Sequence, residues 1–484
     1  MSNPEPTAAF PLGLDLPKTG VRRALHDQLR AAILAGRLSP GLRLPASRAL
    51  AAGLGVSRNS VLAAYDLLAS EGYLSGRAGA GVFVADVLPR PAQPPLRGGE
   101  GDTRLSPLWR HARPPPPRLP APRYDLRLGA PDKALFPFDI WRRLYGRSLR
   151  AMAREPVTPW DPQGPLALRE AIVRHISFTR AVACPPQDLV TTSGAQQAFD
   201  LLGKVLVEPG RTVVAVEDPG YPPVRAAFAA AGARVQPVPV DGEGLVVEAL
   251  PRDAAVICVT PSHQFPLGMP MSTRRRAALL DHARATDAVI VEDDYDSEYR
   301  FLGRAVDALQ TLDREGRVFY VGTFSKVLSP ELRIGFIAAP TWARAALGAA
   351  RRAGDLHGSA IAEQALTDFI VEGRLASHVR RMRRVYEARR RTLLGVLASG
   401  PPGLVTAMPS VAGLHVAVRL GGGLEATSLA ARLLERGVGV EPLQKYASLG
   451  EHHDKLGLGY GAVATADVEP AARILLEEAL AAAR

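Results

Sequence analysis

A chain of 484 residues exceeds one ordinary domain, so two or three domains are expected. Its 47% hydrophobic content supports a large core, no apolar run approaches the ~18 residues of a membrane span, and the two cysteines, Cys184 and Cys258, read as reduced structural thiols rather than a disulfide framework. The formal charge of +11 points to an acidic partner, because much of the excess lies before residue 123, mostly as arginine. Met1–Phe10 lacks a basic start followed by an apolar stretch, so no signal peptide is expected and the chain reads as cytoplasmic. Three zones follow: a compact module over 15–86, a linker over 87–122 and a large domain over 123–484.

In the first zone, Leu25–Leu34 has the spacing of an amphipathic helix and Ser47–Leu54 that of a second. Gly55–Val56 makes a tight turn, and Ser57 can cap a third helix running to about Ser70. Two short helices joined by a glycine turn match the helix-turn-helix pattern. The third helix opens Ser57–Arg58–Asn59–Ser60, side chains able to bond phosphates and base edges, at a helix end that itself favours phosphate. Taken alone, the same residues serve equally as a cap and a solvated charge. Gly76–Gly81 followed by Val82–Val84 has the form of a two-stranded wing with a glycine tip. Next comes a segment rich in proline and arginine, from Pro89 to Pro122, which cannot build a core and is expected to be an extended, semi-rigid spacer.

Strand patterns at Thr212–Val216, Ala255–Thr260, Ala288–Glu292, Val318–Gly322 and Gly335–Ala338 alternate with helical ones. That alternation predicts an α/β fold with a doubly wound, mostly parallel sheet. Leu414–Arg419 and a helix near Pro470–Ala483 predict a smaller C-terminal α+β subdomain.

Four runs in the large domain carry chemistry. Thr191–Ala198 places a glycine at a strand-to-helix turn, exposing backbone N–H groups at a positive helix end suited to a phosphate, although many such turns merely change direction. Tyr221 in Glu217–Pro223 can stack on a planar ring or simply pack. Glu292–Glu298 puts many carboxylates at the C-terminal end of a strand, where α/β sheets place ligands; the rivals are a solvated acidic loop and a metal site, against which histidine at matching spacing is absent. Finally, Lys326 in Val318–Arg333 can form a Schiff base with an aldehyde cofactor, and Arg333, seven residues on, can neutralise that cofactor's phosphate.

Pro45–Ser60 resembles the winged helix of the GntR regulators. The resemblance implies DNA contacts by Arg48, Ser57, Arg58, Asn59 and Ser60, with Arg77 or Gly79–Gly81 in the wing and Arg43 on a phosphate. Thr260–Pro266, Glu292–Glu298 and Gly322–Lys326 together resemble the fold-type I aminotransferases and, with the module in front, the MocR/GabR-type regulators. What this implies is pyridoxal 5'-phosphate (PLP) bound covalently at Lys326, with Asp293 on the pyridine nitrogen, Tyr295 on the phenolic oxygen and Tyr221 on the ring. Ala195, Gln196, Thr323, Ser325 and Arg333 would hold the phosphate, and His263 and Gln264 would lie at the cofactor's edge. Asp294 is the alternative to Asp293; Asp293 is preferred because, two positions from Tyr295 in extended chain, it shares a face with it. Two departures bear on function. Phe265 and Leu267 stand in the Asn-Pro-Thr-Gly motif of the aminotransferases, the phenylalanine being shared with the regulators. Gly457 stands where an arginine would grip a substrate α-carboxylate, with Arg225 a conceivable substitute. The expected protein is a homodimeric regulator of operator DNA that senses PLP or an amine or amino-acid adduct of it; the rivals are an active aminotransferase and a scaffold without cofactor.

Overall fold

The computed structural model describes residues 13–17, 19–77, 80–85, 102–110, 121–154, 161–301, 307–450 and 452–483. The chain divides into two compact units, Met1–Pro114 and Pro115–Arg484. Most of the expected linker, like Gly79 of the wing tip, lies outside the described residues.

The first unit holds three helices, Val21–Leu34, Ser47–Leu54 and Arg58–Ser70, and an antiparallel hairpin of Leu74–Arg77 with Gly81–Val84. The first helix starts one turn earlier than its apolar spacing announces, from Gly20 in a left-handed conformation. Leu25, Leu29, Val61, Ala64 and Leu68 are fully buried, so the faces meeting in the core are those the helical period groups together. Gly55, at φ 64°, ends the second helix in a conformation that favours glycine. The Ser60 N–H donates to Ser57 Oγ at 3.1 Å, which makes Ser57 the N-cap of the third helix.

At the centre of the second unit is an eight-stranded sheet in the order Leu189–Thr192, Gly335–Ala338, Val318–Thr323, Val289–Asp294, Ala254–Val259, Val213–Asp218, Arg234–Asp241, Gly244–Leu245. The five strands from Val318–Thr323 to Arg234–Asp241 are parallel. Gly335–Ala338 runs antiparallel to both neighbours and Gly244–Leu245 closes a hairpin, so the sheet is mixed at its edges. Two antiparallel steps return Leu189–Thr192 to the direction of the central strands, which brings the C-terminal ends of all of these to one edge of the sheet. A four-stranded antiparallel sheet, Val405–Ala407, His415–Leu420, Lys455–Gly459 and Glu441–Pro442, packs with the helices Arg374–Ala398, Ala426–Glu435 and Val468–Ala482 as the smaller α+β part. Among the described residues no helix is long and apolar enough to cross a membrane.

Candidate functional site

The strand Val289–Asp294 sorts its carboxylates by alternation. Glu292 accepts the backbone N–H groups of Leu309 and Gln310 at 2.8 and 2.9 Å. Asp294, on the same face, accepts Arg180 Nε at 2.7 Å and the Tyr320 hydroxyl at 2.8 Å. Asp293 points the other way, is buried, and its Oδ1 has no partner among the described residues. Burial, and then the charge of Asp294, push its carboxyl up to about 8 despite the nearby Lys326. The three acids at the end of this strand are thus two satisfied structural acids and one acid with unused acceptor capacity.

Asp293 lines a cavity of about 140 Å³ shared with Tyr221, Tyr295, Lys326, Thr323, Ser325, Arg333, Ala195 and Gln196. Lys326 follows the strand Val318–Thr323, and its Nζ donates to the Gly129 carbonyl at 2.5 Å. Gly129 sits at φ 85°, a conformation that favours glycine, and a Cβ there would come within 2.9 Å of Nζ, so a side chain at this position would displace the lysine. Burial lowers the Lys326 ammonium's pKa, and Asp296, Asp293 and Glu441 partly oppose that shift. Ala195 opens the helix Ala195–Leu206 just after Gly194, and Arg333 Nη2 donates to the Ser193 carbonyl at 2.6 Å, setting a guanidinium beside that helix N-terminus. Thr323 Oγ1 donates to Ser325 Oγ at 2.9 Å and accepts the Ser325 N–H at 3.2 Å. Tyr221 is 38% exposed, its ring edge-on to Phe265 with centroids 5.4 Å apart.

His263 is absent from the cavity wall. It stands one layer behind, with Tyr295 Oη and Asp296 Oδ1 at 2.9 and 3.0 Å from its Nδ1. Gln264 is also buried behind the wall, where its Nε2 donates to the carbonyls of Pro219 and Phe265 at 2.8 and 2.7 Å, tying two loops together. Arg225 is engaged with Asp218, Nη2 to Oδ1 at 3.1 Å, and with Ser448. Gly457 lies in the strand Lys455–Gly459, where a Cβ would meet Leu128 Cδ1 at 2.8 Å and Leu443 Cδ2 at 2.9 Å. An arginine has no room there unless those leucines move.

Gly129, Asp296, Pro330, Leu414 and His415 also line the cavity and were not singled out from the sequence. His263, Asp296 and His415 bring ligand-type atoms within 4.8 Å of one another, although the spacing of the histidines in sequence gives no hint of it. Hydrogen bonds knit this group: His263 to Asp296 as above, and His415 Nε2 to the Pro266 carbonyl at 3.1 Å. Burial holds His415 well below the usual imidazole range and therefore neutral.

In the first unit Arg43, Arg48, Ser57, Arg58, Asn59 and Arg77 are exposed, and Ser60 is half-buried. The hydroxyls of Ser57 and Ser60 lie 2.9 Å apart within the cap. Arg77 stacks its guanidinium 4.8 Å from the Phe83 ring centroid, and Arg43 pairs its backbone with Phe83 on the same hairpin. Arg58 and Asn59 are exposed in the first turn of the helix Arg58–Ser70, with no side-chain hydrogen-bond partner among the described residues.

The Lys326 cavity fits pyridoxal phosphate by its donor set: an amine for the carbonyl, a buried acid with open acceptor capacity for the ring nitrogen, aromatic hydroxyls at the sides, and a guanidinium with a helix N-terminus for the phosphate. The family "Bacterial regulatory proteins, gntR family" matches residues 21–84, and "Aminotransferase class I and II" matches residues 158–453. The probable rhizopine catabolism regulatory protein MocR of Rhizobium meliloti is 38% identical to this chain over 448 residues, 92% of this chain and 90% of its own length. The HTH-type pyridoxine biosynthesis transcriptional regulator PdxR of Corynebacterium glutamicum is 35% identical over 79% of this chain and 80% of its own. Among solved structures, the kynurenine aminotransferase of Pyrococcus horikoshii superposes with a TM-score of 0.68 at 28% identity, covering 74% of this chain and 91% of that one. With a gntR-family module ahead of a class I and II aminotransferase domain, and regulators as relatives along most of its length, the chain belongs to the MocR/GabR-type regulators, PLP-dependent transcriptional regulators built from a winged helix and an aminotransferase-like domain.

Proposed function

We propose that this regulator reads operator DNA through Arg58 and Asn59 and uses the Lys326 cavity as a sensor rather than a site of turnover. The observation that carries this is Gly457. The pocket keeps the lysine, the acid and the arginine that hold the cofactor, while the position for an arginine that would grip an α-carboxylate is packed by Leu128 and Leu443. An effector bound here is therefore PLP itself, or an amine joined to it, rather than an α-amino acid held for transamination. The kynurenine aminotransferase likeness keeps the active-enzyme reading as the rival, and turnover of an amino acid with a keto acid would favour it.

When bound, PLP supplies an aldehyde that condenses with amines and a ring that accepts electrons when its nitrogen is protonated. The chain's own groups do the rest. Burial leaves more of the Lys326 amine neutral, as a nucleophile requires, and the Gly129 carbonyl orients it. Asp293 offers a negative charge to the ring nitrogen, and Tyr295, backed by His263 and Asp296, offers a hydroxyl to the phenolic oxygen. Arg333 and the first turn of Ala195–Leu206 bind the phosphate. In the first unit, Arg58, Asn59, Ser60 and Arg48 approach the major groove, while Arg43 and Arg77 contact the backbone from the wing side. The working form is a homodimer in the cytoplasm, because half-sites are read by paired modules. Occupancy at Lys326 biases one of two arrangements of the paired readers. A gel shift on the intergenic DNA beside the gene, with and without PLP, tests this; no shift in either condition contradicts it.

A further inference from the structure

Glu217 is a buried acid outside the Lys326 cavity wall. It is 5% exposed near the end of the strand Val213–Asp218. Its Oε2 accepts the Thr260 hydroxyl and, at 3.3 Å, Gln264 Nε2. Its Oε1 has no partner among the described residues, and neither do Asp293 Oδ1 and Arg225 Nε. All three side chains line one small cavity of about 20 Å³, together with Cys258, Thr260 and Tyr221. Asp293 and Tyr221 also belong to the wall of the Lys326 cavity, so the small cavity adjoins the large one at Asp293. Three unpaired buried polar atoms on side chains that line one space are costly unless something joins them, and a space of this size holds one water.

We propose that a single water in this cavity joins Glu217 Oε1, Arg225 Nε and Asp293 Oδ1, and that Glu217 is thereby the positioning residue for Asp293. The hydrogen bonds balance with one proton on Glu217. Glu217 Oε1–H and Arg225 Nε–H donate to the water, and the water donates to Asp293 Oδ1, which leaves the rest of that carboxylate for the ring nitrogen. Burial pushes the Glu217 carboxyl up to about 7, so about half of it holds a proton at neutral pH, and a protonated ring nitrogen would keep the negative charge on Asp293. The inference rests on the reading of Asp293 given above.

The test is PLP affinity of the full chain, by titration, in Glu217→Met, Glu217→Gln, Asp293→Asn and the double variant Glu217→Met/Asp293→Asn. Loss of the water's link to a charged acid should weaken PLP binding about tenfold or more in Glu217→Met. Glu217→Gln, whose amide N–H replaces the acid's O–H, should restore most of it. In the Asp293→Asn background, Glu217→Met should cost little more. An equal loss in both backgrounds would overturn the proposal, because a packing role is indifferent to Asp293. A Glu217→Gln variant as weak as Glu217→Met would overturn it too, since the acid would then be needed ionised. Unchanged affinity in Asp293→Asn alone overturns the Asp293 reading and this inference with it. Should Glu217→Met fail to fold, high-resolution diffraction from the wild type decides: a solvent peak within hydrogen-bond reach of all three atoms supports the proposal, and an empty cavity overturns it.

Discussion

Asp293→Asn separates what the buried acid costs from what it does. In the cofactor-free protein the carboxyl is raised from 3.8 to about 8 by burial and by Asp294. Its folded pKa thus lies above its unfolded one, so its contribution to stability is greatest below about pH 4 and is lost as pH rises through about 8. About four pKa units at about 1.4 kcal/mol each set a ceiling of roughly 6 kcal/mol. Relaxation and water entry lower what is realised, and about 2 kcal/mol recovered by Asn at pH 8 is the working expectation. Chemical unfolding of the cofactor-free wild type should therefore show stability falling from pH 5 to pH 8, and the variant should show a flatter profile. PLP binding should move the opposite way: losing one charge-assisted contact costs about 1.5–3 kcal/mol, or roughly tenfold to a hundredfold in affinity. A variant no more stable at pH 8 and binding PLP as the wild type does would refute the placement of Asp293 against the ring nitrogen.

Arg58→Ala should weaken operator binding by about 1–3 kcal/mol if the side chain reaches a base edge, and Arg43→Ala should weaken binding to all sequences and reduce the salt slope by about one; titrations over a range of salt distinguish them. Ser57→Ala removes the hydroxyl oxygen to which the Ser60 N–H donates and should cost about 1 kcal/mol in thermal unfolding of the first unit. Gly457→Arg should destabilise the second unit by about 1–3 kcal/mol without creating transamination, because the new side chain meets Leu128 and Leu443 rather than the cavity; gain of turnover with an amino acid and a keto acid would contradict this.

Local signals carried the first unit: the Ser57 cap, the Gly55 turn and the apolar period of the helices act over a few residues. The same holds for Asp293 against Asp294, where strand alternation alone separates the acid on the cavity from the acid paired to Arg180. What stayed out of reach depends on contacts across the chain. Gly129 meets Lys326 from 197 residues away, and Arg180 meets Asp294 from 114. His263 was expected at the cofactor's edge, yet the fold sets it behind Tyr295, a depth that spacing in sequence does not encode. Arg234–Asp241 is a strand absent from the sequence pattern; it carries Pro237 and Pro239, which the fold tolerates near the edge of the sheet. In the sequence Glu217 is only the start of a tyrosine motif; its significance lies in the cavity it shares with Asp293 and Arg225.

The central claim is that cofactor bound at Lys326 is read out as DNA binding. The most direct measurement is operator affinity of the full chain with and without PLP, in the wild type and in Lys326→Ala. The account predicts that PLP changes the wild-type affinity, that Lys326→Ala still binds the operator, and that PLP no longer alters its affinity. An equal response to PLP in both proteins, or none in the wild type, would contradict it.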